Sequence, residues 1–175
     1  YLTAEYTYPI DTVDFMQANN IKGNVYALYN WGGYLHWRTD GDLKVFIDGR
    51  ADTIYGASTY LGYVDVLRNM PGWLGQVERS GAQYILWPNV GYGGSLKGQE
   101  LIQSGRWPFI YPDSVSFLMG KLPLVKDAQY SPAPITPYTH LGMAQLGAMQ
   151  GNYKSAIAMA KKTRELIPYQ TGACN

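Results

Sequence analysis

The sequence of 175 residues predicts an α/β protein with a mixed, mostly parallel β-sheet, flanking helices and a C-terminal antiparallel helical hairpin. Three observations predict this class. Short runs rich in β-branched and aromatic residues alternate with stretches whose apolar residues recur at helical spacing. A proline-rich segment then interrupts this alternation. Two consecutive helical patterns follow it, with no strand between them.

The composition excludes several classes of protein. Hydrophobic residues make up 46% and charged residues 15% of the chain, so a disordered chain and a coiled coil are disfavoured. A net charge of +1 does not indicate a nucleic-acid-binding surface, which needs an excess of basic residues. The longest apolar runs are too short to span a bilayer. A single cysteine, Cys174, excludes an internal disulfide framework.

Each element has a local signal. Pro9 and Asp11 are typical of a helix N-terminus, and Ile10, Val13 and Met16 recur at helical spacing. Paired glycines within residues 30–38 indicate a tight entry into a short helix. Further helices are predicted over 58–70, 72–80 and 95–104. Strands are predicted over 24–29, 44–48, 83–88, 107–111 and 115–119, the last two joined as a hairpin by 112–114.

These elements predict an α/β domain over 1–121, an extended proline-rich linker over 122–137, a helical hairpin over 138–168 and a tail over 169–175. The hairpin is predicted to consist of helices 138–150 and 152–167. Its spacing resembles a tetratricopeptide repeat through Gly151, Tyr153, Ala156, Ile157, Leu166 and Pro168. Two interpretations stay open: a hairpin docked on the α/β domain, or part of a protein-docking surface.

The candidate functional site lies between residues 30 and 56. The chain holds 16 Tyr and 5 Trp, side chains that combine an apolar body with a polar tip. The candidate ligand-binding residues are Trp31, Tyr34, Trp37, Arg38, Asp48, Arg50 and Asp52. Asp48-Gly49-Arg50 directly follows a predicted strand, at the edge where open α/β sheets bind ligands.

This residue set suits a sugar or a phosphate. Carboxylates accept bonds from hydroxyls, a guanidinium binds oxyanions, and aromatic rings stack on apolar sugar faces. We expect the Gly-Gly and Asp-Gly-Arg turns to meet at one rim and to present aromatic faces and a guanidinium to solvent. The structural alternative is that Arg50 pairs with Asp48 or Asp52 to fix a turn and that the aromatic residues are core.

The same region carries a family resemblance, over about residues 8–120. Its segments 24–38, 45–52, 55–56, 82–88 and 107–113 read NVYALYNWGGYLHWR, VFIDGRAD, YG, AQYILWP and WPFIYPD. They resemble the soluble C-terminal region of bacterial multi-pass membrane proteins related to lipid-linked-sugar glycosyltransferases. The resemblance implies an extracytoplasmic, membrane-associated domain. In such enzymes the catalytic metal and carboxylates come from the membrane part, so it also implies that this chain alone does not turn over substrate.

Trp31-Gly32-Gly33-Tyr34 is distantly similar to the Trp-Trp-Asp-Tyr-Gly region of oligosaccharyltransferase catalytic subunits, which recognises the acceptor peptide. It keeps a Trp and the Tyr and lacks the second Trp and the Asp. The leading expectation is therefore a non-catalytic domain that binds a glycan, a polypeptide or a partner subunit.

Two other functions stay open for this sequence. The chain starts at Tyr1 rather than Met, which suits a processed, self-associating subunit of a surface or filament assembly. An enzyme acting on sugar phosphates through Asp48, Arg50 and Asp52 is the third. No cofactor and no metal site are expected, since His36 and His140 show no ligand pattern. The glycine-rich loop 91–95 matches no nucleotide-binding fingerprint.

Overall fold

The computed structural model describes residues 8–89, 91–131 and 137–166. The helices are α1 (Ile10–Ala18), α2 (Gly32–Arg38), α3 (Ala51–Ile54), α4 (Ala57–Leu67), α5 (Trp73–Arg79), α6 (Gly94–Gln103), α7 (Pro137–Met149) and α8 (Tyr153–Leu166). The strands are β1 (Gly23–Ala27), β2 (Leu43–Val45), β3 (Tyr84–Pro88), β4 (Phe109–Pro112) and β5 (Ser116–Gly120). The predicted α/β class with a C-terminal helical hairpin is confirmed. The short α3 was not predicted.

The strand order is β2-β1-β3-β5-β4. The pairs β1–β2 and β1–β3 are parallel, whereas β3–β5 and β4–β5 are antiparallel. The predicted mixed sheet is confirmed, but the prediction that it is mostly parallel is wrong. The reason is the β-hairpin formed by β4 and β5. Its second strand, β5, lies between β3 and β4 and pairs with both of them in antiparallel orientation.

Burial explains why the central strands read as continuous apolar runs. Every residue of β3 and of β5 is buried. A strand covered on both faces needs apolar side chains at every position rather than at alternate ones. β1 shows the same burial over its last three residues.

The first part of the predicted linker packs against the body instead of extending away from it. Residues 122–127 form consecutive turns, and Val125 is buried against Gly120. The ring of Tyr130 lies 5.7 Å from that of Phe15 on α1. Burial of these apolar groups holds the segment on the sheet. Residues 132–136 of the linker and the predicted tail 169–175 lie outside the described residues.

Small residues bring the hairpin into close contact with itself and with the body. A Cβ on Gly147 of α7 would lie 3.2 Å from the backbone nitrogen of Ala156 on α8. A Cβ on Gly142 would lie 2.6 Å from the carbonyl oxygen of Asp113. The hairpin therefore docks on the α/β part through α7, where a larger side chain would separate the two backbones.

A buried carboxylate stands at this junction. Asp113, next to β4, accepts hydrogen bonds through Oδ2 from the backbone N–H and the hydroxyl of Thr12, both at 3.1 Å. Its Oδ1 accepts from Ser114 and from the N–H of Val115. Burial raises the pKa of Asp113, and these donors oppose that shift. Because α1 has no local side-chain cap, Asp113 satisfies one of its free N–H groups from a distant part of the chain.

We expect Asp113→Asn to lower the free energy of unfolding by about 1–3 kcal/mol, because the amide nitrogen would face donors instead of accepting from them. Urea unfolding followed by circular dichroism measures the change. Asp127→Asn, at an exposed position, is the control and should change stability by no more than about 0.5 kcal/mol. Equal stability of both variants would contradict the role assigned to Asp113.

Candidate functional site

The two turns singled out in the sequence do meet. Gly32, at the start of α2, packs against the residues that follow β2, and a Cβ there would lie 2.9 Å from the Cα of Asp48. Both segments follow parallel neighbours, β1 and β2, so their carboxyl ends share one edge of the sheet. Gly32 is required at this position because the backbones leave no room for a side chain.

At this edge Asp48 and Arg50 form a closed ion pair. Arg50 Nη2 lies 2.6 Å from Asp48 Oδ2, and Nε lies 3.0 Å from Oδ1. The Arg50 N–H donates to the same carboxylate. The hydrogen-bonded guanidinium lowers the pKa of Asp48, which is buried, and the carboxylate raises the pKa of the exposed Arg50. The pair fixes the turn, and Asp48 is thereby a poor proton acceptor for catalysis.

The remaining predicted residues do not gather around this pair. Trp31 is buried in the core. Trp37, 75% exposed, and Arg38 lie at the other end of α2, about 10 Å along the helix from its start. Arg38 pairs with Asp14 on α1 and donates to the Tyr34 hydroxyl at 3.0 Å. Asp52 lies within α3, and its side chain is outside the described part of the structure.

A second arrangement, at the same edge of the sheet, forms an open cleft. β1 and β3 are parallel neighbours. The chain leaves β1 toward β2 at one border of the sheet and leaves β3 toward β4 at the other border. Such a reversal separates the two connections and opens a crevice beyond the strands. A cavity of about 220 Å³ lies there, which we call the tyrosine cleft. Its lining residues are Leu28, Tyr29, Asn30, Tyr60, Tyr63, Val64, Leu67 and Tyr92.

Of the four tyrosines that line the cleft, Tyr60 and Tyr92 are accessible and Tyr63 is structural. Tyr60 on α4 and Tyr92 on the loop after β3 are 43% and 50% exposed. Tyr63 is buried, and its hydroxyl accepts a hydrogen bond from the N–H of Tyr29 at 2.9 Å. Burial raises the pKa of Tyr63 to about 12. The phenol therefore stays neutral and ties α4 to the end of β1.

A buried lysine, Lys97, holds the loop that carries Tyr92 in place. The carbonyl of Tyr92 accepts from Trp87 Nε1 at 3.2 Å and from Lys97 Nζ at 2.9 Å. Lys97 is 1% exposed, and its Nζ lies 5.4 Å and 5.3 Å from the ring centroids of Trp73 and Trp87. Burial lowers the pKa of Lys97 to about 8. These contacts fix Tyr92 at a backbone φ of 48°, which is uncommon for a residue with a side chain.

The lining of the tyrosine cleft favours binding over catalysis. Its described lining residues include aromatic, aliphatic and amide side chains, without a carboxylate, imidazole or thiol. Within the described part of the chain, no group of three or more His, Cys, Asp or Glu residues is placed to hold a metal ion. None of the described helices combines the length and hydrophobicity that a membrane-spanning helix needs.

Sequence reasoning missed the tyrosine cleft because its walls are distant in the chain. Tyr29 lies within the quoted motif, Tyr60 and Tyr63 lie on α4, and Tyr92 lies on the loop after β3. The available signal was a tyrosine close behind each of two buried strands. That signal becomes informative only when β1 and β3 are known to be neighbours.

Comparison of the chain with protein-family models, with curated proteins and with solved structures finds no match.

We expect Gly32→Ala to lower the free energy of unfolding by about 1–3 kcal/mol, because its Cβ overlaps Asp48. Gly33→Ala is the matched control: no atom lies within 4 Å of its Cβ position, and alanine favours the helix by up to about 1 kcal/mol. Thermal or urea unfolding of both variants measures the difference. A Gly32→Ala protein as stable as the Gly33→Ala protein would contradict the close contact.

Proposed function

We propose that this chain is a non-catalytic binding domain that holds one sugar unit of a glycan in the tyrosine cleft. The observation that carries the proposal is the pair of accessible rings, Tyr60 and Tyr92, beside the exposed Asn30. Aromatic rings stack on the apolar faces of sugars. An amide donates to and accepts from hydroxyl groups, so Asn30 suits the sugar edge.

The size and rigidity of the cleft support a small ligand. A volume of about 220 Å³ is below the ~300–1,000 Å³ of pockets for drug-sized molecules, and it suits a single ring. The hydrogen bonds from Trp87 and Lys97 hold the Tyr92 loop in place before a ligand arrives. A preformed wall costs less conformational entropy on binding than a mobile one.

The family resemblance extends the proposal to the cellular setting. In this proposal the domain is extracytoplasmic and associated with a membrane glycosyltransferase-like protein, whose membrane part performs the chemistry. The closed Asp48–Arg50 pair supports a non-catalytic role, because Arg50 engages both carboxylate oxygens of Asp48 and lowers its pKa, which makes Asp48 a weak base. The domain would then retain a glycan close to the enzyme.

We expect Tyr60→Ala and Tyr92→Ala each to weaken glycan binding by roughly 5- to 30-fold, since each removes a stacking ring worth about 1–2 kcal/mol. A glycan array identifies the ligand, and calorimetric titration of the best one measures the affinity.

Trp37→Ala and Tyr153→Ala are the matched controls, because both side chains are exposed aromatics that do not line the cleft. They should leave the affinity unchanged. An equal loss in Trp37→Ala would move the site to α2, and unchanged binding in both cleft variants would refute the proposal.

A second candidate function is self-association through α8. Tyr153 and Ile157 are exposed on successive turns of this helix. The residues after position 131 carry five charged side chains, all on α8 and four of them basic, whereas the rest of the chain has twelve acidic and ten basic residues. This asymmetry fits a second copy of the chain. Head-to-tail contacts of this kind produce rings or filaments.

We expect the protein to form larger species as its concentration rises, and salt to weaken them by screening the charges. Ile157→Asp and Lys161→Glu should shift sedimentation profiles toward the monomer. Lys126→Glu, an exposed change outside α8, should not. A strictly monodisperse monomer at high concentration would eliminate this candidate.

A further inference from the structure

A second pocket, separate from the tyrosine cleft, lies between α4 and α5 and reaches β1. Its volume is about 180 Å³, and we call it the polar pocket. Tyr26 and Phe46 form part of its lining, together with the polar side chains of Ser58, Thr59, Gln76, Arg79 and Ser80. Ser58, Thr59 and Gly62 belong to α4, which lines the tyrosine cleft with Tyr60, Tyr63, Val64 and Leu67. The two pockets therefore use different faces of one helix.

The hydroxyl of Tyr26 is the feature that needs explanation. Tyr26 is 1% exposed, and its hydroxyl has no hydrogen-bond partner among the described residues. Its ring is stacked on Phe46 at 4.9 Å between centroids, so the hydroxyl has a fixed position. Burial raises the pKa of Tyr26, which keeps the phenol neutral and able to donate. A buried hydroxyl without a partner is uncommon in folded proteins and costs stability.

The lining of the polar pocket also includes an exposed arginine. Arg79 lines it, and no salt bridge to Arg79 is found within the described part of the chain. The described lining residues of the pocket include no carboxylate. Its donors are a guanidinium, hydroxyl groups and the amide of Gln76. A guanidinium forms paired, charge-assisted hydrogen bonds with planar or tetrahedral oxyanions.

We propose that the polar pocket binds a small oxyanion, a phosphate or carboxylate group, which pairs with Arg79 and, once the side chains that cover the hydroxyl move aside, accepts from Tyr26. Ser58, Thr59 and Gln76 supply the remaining donors at the mouth. The anion gives the Tyr26 hydroxyl the partner that the fold does not provide. This site does not depend on the proposed glycan function, because the lining residues of the two pockets do not overlap.

Calorimetric titration of the whole chain with inorganic phosphate, and separately with acetate, tests the proposal. Tyr26→Phe removes only the unpartnered hydroxyl, so it should weaken anion binding by roughly tenfold or more while leaving the thermal midpoint unchanged or higher. Arg79→Met should weaken binding at least as much. Arg68→Met is the matched control, because it removes an exposed arginine that does not line the pocket.

Each outcome decides the question. Loss in Tyr26→Phe and Arg79→Met but not in Arg68→Met supports the site, and a preference between phosphate and acetate identifies the type of oxyanion. Absence of binding by the unaltered chain at millimolar anion would overturn the proposal. So would equal affinities in all variants, which indicate an adventitious ion only. A lower thermal midpoint of Tyr26→Phe without added anion would show that the hydroxyl already has a partner, and would also overturn it.

Discussion

Asp113, through its buried carboxylate and its backbone, contacts parts of the chain that no local signal brings together. It accepts from Thr12 on α1, and its backbone lies against Gly142 on α7. The carbonyl of the same residue accepts from Asn89, which follows β3, at 2.7 Å. One residue therefore joins the first helix, the end of a central strand and the C-terminal hairpin. A buried carboxylate is tolerated only with several donors, so its own donors, Thr12, Ser114 and the N–H of Val115, must be in place when this junction forms.

The position of the central strands determines where ligands have access. The chain leaves β1 toward β2 and leaves β3 toward β4, so the two connections diverge at the shared carboxyl edge of β1 and β3 and the crevice between them stays open. α4 covers this region and separates two cavities of different character. Tyrosine rings and an amide line one of them, while a guanidinium and hydroxyl groups line the other. The fold thus presents an aromatic surface and a cationic pocket on the two sides of one helix.

Local features of the structure could be predicted from the sequence, and pairings over long distances could not. The β-rich runs place every strand within a few residues of its position, because strand propensity and turn residues act locally. The arginine of the Asp-Gly-Arg turn pairs with Asp48, which the turn itself suggests. The insertion of β5 beside β3 depends on long-range packing, and it gives the mixed sheet two antiparallel pairings beside its two parallel ones, so that the sheet is not mostly parallel. The tyrosine cleft could not be predicted either, because it forms only when β1 and β3 are neighbours and α4 packs beside their ends.

The two outer strands of the sheet, β2 and β4, are poorly suited to pair with a strand of another molecule. β2 is only three residues long, and β4 has an irregular register between Phe109 and Tyr111 and ends in Pro112, which has no N–H. An incoming strand finds few consecutive donors and acceptors at either border. The sheet is thereby protected from growing by strand addition, and contacts with other molecules are left to the helices and loops.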